Sequence, residues 1–161
     1  MAQHEHHYRA HVAWEGNLGT GTARYAGYSR DYRMRVDGKP DLAGSADPSF
    51  RGDPARHNPE DLLLGAISSC HMLSYLALCA QAGVVVEAYE DAAEAVMRTE
   101  PGGGGRFESV TLHPRVRIAA GSDAALAEQL HERAHSLCFI ANSCSVPIAH
   151  RPEIATGGDG Q

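Results

Sequence analysis

Apolar and polar positions follow different patterns along the chain, and each pattern predicts a different element. From Asn58 to Gly83 there is almost no charge, and apolar or small residues occur on every side of a helical projection. Asn58 is a good helix cap, Pro59 suits the first helical position, and Gly83 suits the position just after the end. We therefore predict a long helix here, buried at the centre of the fold.

Alternating stretches on both sides of this helix predict strands. Residues 8–14 form the first, and residues 25–36 hold one or two more. Residues 84–98 and 107–119 flank the glycine-rich run 101–105, which is typical of a flexible turn, so they predict a hairpin.

The remaining segments complete the order of elements. Ser122 or Asp123 caps a second helix over 124–141, residues 145–154 form a last short strand, and residues 39–57 have no periodicity and predict a loop. Strands, helix, hairpin, helix and strand, in that order, predict an α+β fold.

Length, charge and cysteine content narrow the classes of function. The 161 residues predict a single domain over 1–161, with disordered tails at 1–7 and 155–161. The net charge of −6 argues against a nucleic-acid partner, because binding to phosphates needs a basic surface. Polar residues such as Ser68 interrupt the apolar helix, so no membrane partner is predicted. Four cysteines and no secretory apolar segment predict a reducing cytoplasm.

Two cysteines lie inside predicted helices, Cys70 in the central helix and Cys138 in the second. A thiol is a nucleophile only as thiolate, so a nearby cation or dipole must lower its pKa from about 8.5. Cys70 is far from the start of its own helix, and an arginine, which stays charged when buried, is the best cation. His71 projects about 100° away from Cys70 around the helix and is a poor partner.

The other two cysteines are weaker candidates. Cys79 lies nine residues beyond Cys70, half a turn out of phase, so these two thiols cannot bond without unwinding the helix. Cys144 follows the second helix and competes with Cys138 as a partner for Cys70.

At this point the sequence resembles the OsmC/Ohr family, the osmotically inducible and organic hydroperoxide resistance proteins. The matching residues are Asn58-Pro59-Glu60 at the start of the central helix, the Ala82-Gly83 helix end, Cys70, and Cys138, which lies 68 residues after Cys70. The order of elements agrees along residues 8–154. The resemblance implies an OsmC-like fold, with an antiparallel sheet wrapped around the central helix and an intertwined homodimer with two active sites at its interface.

The resemblance also implies a thiol-dependent peroxidase that prefers organic hydroperoxides and needs no cofactor. Cys70 would attack the peroxide, and Cys138 would resolve the sulfenic acid to a disulfide, which a dithiol, for example of lipoyl type, then reduces. The family's glutamate falls on Glu60. Ten helical residues put Glu60 about 15 Å from Cys70, so if Glu60 shares the site it must reach it from the partner subunit. The alternative is that Glu60 is a first-turn residue that complements the helix dipole.

The family's arginine has no clean match in this chain. Arg51 is the first choice, followed by Arg56 and Arg30. This departure leaves a second interpretation open, in which a dimeric protein of the same fold binds a small ligand without catalysis.

A third interpretation comes from a short motif in the second helix. His131-Glu132-Arg133-Ala134-His135 matches HExxH, the pattern that places two histidines on one helical face to bind zinc in metallohydrolases. No pattern for a third ligand follows, so we predict no metal site there.

Overall fold

The structure is a computed structural model that describes residues 4–157, and its elements follow the predicted α+β order. The helices are α1 (Pro59–Ala82), α2 (Ala124–Leu137) and α3 (Phe139–Asn142). The strands are β1 (His11–Trp14), β2 (Tyr32–Arg35), β3 (Leu42–Gly44), β4 (Val86–Asp91), β5 (Glu94–Thr99), β6 (Gly105–Leu112), β7 (Pro114–Ile118), β8 (Ile148–His150) and β9 (Glu153–Thr156).

The chain divides into two compact units, one up to residue 62 and one from residue 63 onward. The N-terminal unit holds β1 to β3 and the first residues of α1, and the C-terminal unit holds the rest of α1 and everything after it. The single domain over 1–161 stays a prediction.

The N-terminal unit is a three-stranded antiparallel sheet in the order β1-β2-β3. The loop prediction for 39–57 was wrong in part, because the segment contains β3 and a short 3-10 helix, Pro48–Phe50. Three residues are too few to show a period of two, so β3 left no pattern in the sequence. Residues 4–7 are exposed and have no regular structure.

Both ends of α1 lie where the sequence predicts them. At the start, the Asn58 side chain accepts a hydrogen bond from the Asp61 N–H at 2.9 Å. At the end, Gly83 adopts a left-handed φ of 76°, and the Val84 N–H donates to the Cys79 carbonyl at 2.9 Å. This six-to-one bond is a Schellman cap, which needs the conformational freedom of glycine.

Helix α1 is the long helix that the sequence predicts, and within the single chain it is partly buried. Its buried residues form one stripe: Ile67, His71, Tyr75, Leu78 and Cys79. The opposite stripe (Gly65, Ser69, Leu73 and Ala77) is exposed, and 63% of Leu73 is accessible to solvent. The helix is long and apolar enough to cross a membrane by length and composition. Its buried stripe nevertheless packs into the two apolar cores of the C-terminal unit.

Three predicted strands of the C-terminal unit are each broken into two. The hairpin arms 84–98 and 107–119 become β4 with β5 and β6 with β7, and the last strand becomes β8 and β9. The breaks fall at residues 92–93, directly after Asp91, which accepts the His113 N–H, at His113, directly before Pro114, and at residues 151–152, which include Pro152. One sheet has the order β4-β7-β9 and another the order β5-β6-β8.

The predicted single antiparallel sheet was therefore wrong. Strands β8 and β9 pair in parallel with β6 and β7, so both sheets of the C-terminal unit are mixed. Strand β9 extends to Thr156, which corrects the predicted start of the tail at residue 155. Residues 1–3 and 158–161 of the predicted tails lie outside the described residues.

Candidate functional site

The two cysteines that the sequence singled out lie in the C-terminal unit, on different elements. Cys70 is half-buried in the middle of α1, and Cys138 is fully buried. Cys138 does not lie inside a helix as predicted, because α2 ends at Leu137 and Cys138 is extended, with φ −70° and ψ 110°. It joins α2 to α3, which we predicted as one continuous helix.

Cys70 and Cys138 lie close enough to interact, and we call them the thiol pair. Burial, together with a smaller contribution from its hydrogen bond to Cys70, raises the pKa of Cys138 to about 11. No disulfide joins them, and both are free thiols. At neutral pH Cys138 is therefore protonated and can donate its S–H toward the Cys70 sulfur.

The break between α2 and α3 holds Cys138 in place. Its N–H donates to the His135 carbonyl at 3.3 Å, and its Sγ accepts the Ala141 N–H at 3.4 Å. The sulfur thus caps the short helix α3. Both contacts are local to the chain, so they orient the thiol without using the groups of α1.

The other two cysteines have different surroundings. Cys79 is buried in the core formed by Tyr75, Val116 and their neighbours, and burial raises the pKa of its thiol. Cys144 is half-buried and lines a cavity of about 750 Å³ with Phe107 and Val146. Burial therefore favours the protonated form of the Cys79 thiol.

A second candidate region lies in the N-terminal unit, and we call it the aromatic pocket. It has a volume of about 340 Å³ and is lined by four aromatic side chains together with Arg30 and Glu60. The aromatic residues are Trp14, Tyr28, Tyr32 and Phe50. The Trp14 ring packs edge-on against Tyr28 at 5.7 Å, and its Nε1 donates to the Ser29 carbonyl. The pocket is therefore a largely apolar hollow whose lining includes one cation, Arg30, and two acidic residues, Asp47 and Glu60.

The three candidate arginines have different surroundings. Arg51 is exposed, follows the 3-10 helix with a left-handed φ of 67°, and does not line the aromatic pocket. Arg56 forms ion pairs with Asp31 at 3.7 Å and Asp53 at 3.5 Å, which neutralise its charge. Of these three candidates, Arg30 is the one that lines the aromatic pocket.

Arg30 is fixed by its own neighbourhood. Its two terminal nitrogens donate to the carbonyls of Tyr28 and Tyr25 at 2.6 Å each, and its guanidinium lies 4.0 Å from the Tyr28 ring. These contacts are to neutral groups, so the charge is available to an anion in the pocket.

Glu60 also lines this pocket. Its Oε2 is buried and has no hydrogen-bond partner, and its charge adds to burial in raising the pKa of Tyr32. An unpartnered buried carboxylate oxygen costs about 1–3 kcal/mol or more, so it indicates a missing donor. Sequence reasoning found Glu60 by resemblance, but the aromatic residues that surround it carried no motif.

The HExxH motif has a structural role that we did not predict. The His131 ring is buried, and its Nδ1 lies 3.0 Å from Nε2 of His71. Among the described residues, 4–157, no three or more side chains of the metal-binding types are arranged to hold an ion. The motif therefore supplies no ligand set for the zinc interpretation, and His71 has a buried histidine as its partner.

A family model described as OsmC-like protein matches residues 52–151. The structure of an OsmC-like protein of unknown function from Vibrio cholerae is 29% identical, with a TM-score of 0.82, and the match covers 92% of this chain and 100% of that one.

Two further relatives are more distant. The uncharacterized protein YmaD of Bacillus subtilis is 22% identical over 160 residues, which are 96% of this chain and 99% of that protein. An organic hydroperoxide resistance protein OsmC from Legionella pneumophila is 18% identical, with a TM-score of 0.66 over 94% of this chain and 99% of that one. This last likeness concerns the fold alone.

Proposed function

Because the chain belongs to the OsmC-like protein family, with the OsmC-like α+β fold, we propose that it is a thiol peroxidase that reduces organic hydroperoxides. The observation that carries the proposal is the thiol pair, in which Cys70 and Cys138 interact although they lie 68 residues apart in sequence. A pair placed in this way can be oxidised to a disulfide and reduced again.

The proposed reaction has three steps. The Cys70 thiolate attacks one peroxide oxygen, the O–O bond breaks, and the alkoxide leaves as an alcohol after taking a proton. The Cys70 sulfenic acid then condenses with the Cys138 thiol, forming the disulfide and releasing water. A dithiol, for which a lipoyl group is one candidate, reduces this disulfide by exchange and is oxidised in turn.

The high pKa of Cys138 suits a resolving residue. A thiol with a pKa of about 11 stays protonated while the peroxide is attacked, so it does not compete as nucleophile. Its S–H can meanwhile donate a hydrogen bond to the sulfur of Cys70, which keeps the two sulfurs in contact.

We assign the cation of the reaction to Arg30 in place of Arg51. Arg30 lines a pocket with Glu60, its guanidinium is held in place by two carbonyls, and it is engaged by no acidic side chain among the described residues. Glu60 would hold Arg30 or the peroxide through its free Oε2. We propose that the aromatic pocket of one subunit completes the site of the other, as the sequence argument for Glu60 required.

The homodimer that this requires is supported by the exposed stripe of α1. Gly65, Ser69, Leu73 and Ala77 follow one another at intervals of four residues, so they share one helix face. Small side chains flanking an exposed leucine allow two helices to approach closely. We propose that a second copy covers this face.

A second candidate function is a dimeric protein that binds a small apolar anion without catalysis. The aromatic pocket favours it, because aromatic walls with one arginine fit a carboxylate or similar ligand whether or not a thiol is reactive. In both cases we place the protein in a reducing compartment, with no nucleic-acid or membrane partner.

A peroxidase assay with several organic hydroperoxides and hydrogen peroxide, and with a lipoyl or a simple dithiol as reductant, separates the two functions. The peroxidase proposal predicts that Cys70→Ser abolishes turnover, while Cys138→Ser allows one turnover and leaves Cys70 to oxidise further. Cys79→Ser is the matched control, since Cys79 lies on the same helix and should leave turnover unchanged. Wild-type protein that consumes no hydroperoxide with any dithiol would leave the ligand-binding function.

A further inference from the structure

Four histidines from three elements of the C-terminal unit form what we call the imidazole cluster: His71 of α1, His131 and His135 of α2, and His150 of β8. The rings of His71 and His131 are 5.3 Å apart and nearly parallel, at 10°. His150 lies 5.6 Å from His71 and 5.7 Å from His135. His71 and His131 are buried, with 1% and 0% of their surfaces exposed.

One hydrogen bond joins the two buried rings, from Nε2 of one to Nδ1 of the other at 3.0 Å. Because a ring nitrogen either donates or accepts, this contact holds a single proton between His71 and His131. Their outer nitrogens, Nδ1 of His71 and Nε2 of His131, are buried and have no partner. A proton added to the pair either goes to one of these outer nitrogens, which have no acceptor, or enters the contact and sets two N–H groups against each other, and in both cases it puts a charge where no partner stabilises it.

None of the groups that face the cluster is a free counter-ion that would stabilise such a charge. From α1, the Tyr75 ring stacks on His131 at 3.8 Å, and the Tyr89 ring of β4 lies behind Tyr75 at 5.9 Å. Burial raises the pKa of both phenols, so both are neutral.

Two carboxylates also face the cluster. Asp91 of β4 acts on His71, but its oxygens already accept hydrogen bonds from Ser68 and from the His113 N–H. Glu132 of α2 lies 3.2 Å from His150, and its side chain is largely exposed, so solvent screens its charge. Neither carboxylate is buried beside the His71–His131 contact as a free counter-ion.

The pKa values follow this geometry. Burial, with smaller contributions from His150 and His135, lowers the pKa of His71 from 6.5 to about 4. Burial, with His71 and His150, lowers the pKa of His131 to about 3, and burial also lowers that of His150. A histidine released to solvent returns to about 6.5, so the opened form binds more protons than the closed form between about pH 6.5 and about pH 4. Acid in this window favours opening.

We propose that the imidazole cluster is a pH-sensitive latch, which holds α1 against the C-terminal end of α2, from His131 to Leu137, while its rings are neutral and releases that end when they are protonated. Release acts on the thiol pair through the chain. His71 directly follows Cys70, and the Cys138 N–H is bonded to the carbonyl of His135 at the end of α2. Opening at the cluster therefore exposes Cys138 and ends its contact with Cys70. This inference needs only the proximity of the two thiols and does not rest on the proposed peroxidase activity.

Thiol labelling with 4,4′-dithiodipyridine, which reacts in acid as well as at neutral pH, tests the latch in the full-length reduced protein. Each cysteine is followed by peptide mapping from about pH 7 to about pH 4.5. Half-buried Cys144 corrects for the effect of pH on the reagent, and buried Cys79 reports general unfolding. The latch predicts that labelling of Cys138 relative to Cys144 rises at least about tenfold, while Cys79 stays protected.

A variant that keeps the hydrogen bond and removes the titration supplies the second arm. Glutamine replaces a ring Nε2 and asparagine a ring Nδ1, so the double variant His71→Gln with His131→Asn should show no rise in Cys138 labelling. His11→Gln, at an exposed histidine of β1, is the matched control and should behave like the wild type.

Two results would overturn the latch. One is equal protection of Cys138 at both ends of the pH range in the wild type, and the other is labelling of Cys79 in step with Cys138. Both use wild-type protein, so they decide the question even if the double variant fails to fold. A rise of the same size in a folded double variant would also overturn it.

Discussion

Replacing Leu73 by aspartate should dissociate the homodimer that we propose. Burying a whole leucine stabilises by about 1.5–3 kcal/mol, and 63% of Leu73 is exposed in the single chain. Covering that part would contribute about 1–2 kcal/mol per subunit. A twofold contact uses the residue twice, which gives about 2–4 kcal/mol per dimer.

This magnitude predicts a large change in the dissociation constant. Each 1.4 kcal/mol is a factor of ten, so losing the apolar contact raises the constant by about 30-fold or more, and the buried charge of aspartate adds to this. Sedimentation velocity over a concentration series measures it. Leu18→Asp is the matched control, because Leu18 is 71% exposed but lies outside α1.

The reasoning would be refuted in either of two ways. A wild-type protein that sediments as a monomer at every concentration would remove the dimer and the shared site together. A Leu73→Asp protein that dimerises as tightly as the wild type would show that the exposed stripe of α1 is not the interface.

Three further predictions concern the pocket, the core and the buried histidines. Arg30→Ala should slow peroxide consumption at least about tenfold, whereas Arg51→Ala should leave its rate within about twofold of the wild type. The reason is that a cation that lowers a thiol pKa by one unit changes the thiolate equilibrium by about a factor of ten. Equal losses in the two variants would contradict our assignment. Ile67→Ala should lower the free energy of unfolding in urea by about 2–5 kcal/mol, since Ile67 is buried in an apolar core, and a loss below about 1 kcal/mol would show that the core is loose there. The free energy of unfolding should fall as the pH is lowered from about 6.5 to about 4, and His71 should contribute up to about 3 kcal/mol to this fall, because its pKa in the folded state is about 4. The fall should be smaller in His71→Gln.

The ends of α1 could be predicted from sequence because each depends on a local rule. Asn58, Pro59 and Gly83 act within one turn of their own positions, and the structure shows both caps. The split of each long strand into two was missed, although Pro114 and Pro152 were visible signals. A proline beside a break divides a strand between two sheets only when each half finds another strand to pair with, and the sequence around the proline does not show those partners.

The burial of α1 and the break at Cys138 could not be read from the sequence. A helix that is apolar on every side needs cover, but the pattern does not say whether one chain or two supply it. At Cys138 the residues carry no glycine or proline, and the break depends on a sulfur that caps α3.

The candidate site also contains one feature that the sequence predicted and one that it did not. Cys70 and Cys138 were predicted as a pair by resemblance, and the structure brings them together. The pairing of His71 with His131 was not predicted, because it joins residues 60 apart in sequence through tertiary packing. The sequence drew attention to His131 only through the HExxH pattern, for which we predicted no metal site.

Peptide mapping after one equivalent of an organic hydroperoxide, added to the fully reduced protein, tests the central claim most directly. Our account predicts a disulfide between Cys70 and Cys138, reversed by a dithiol, while Cys79 and Cys144 remain thiols. Cys70 recovered as an unmodified thiol, or linked to Cys144 instead of Cys138, would contradict it.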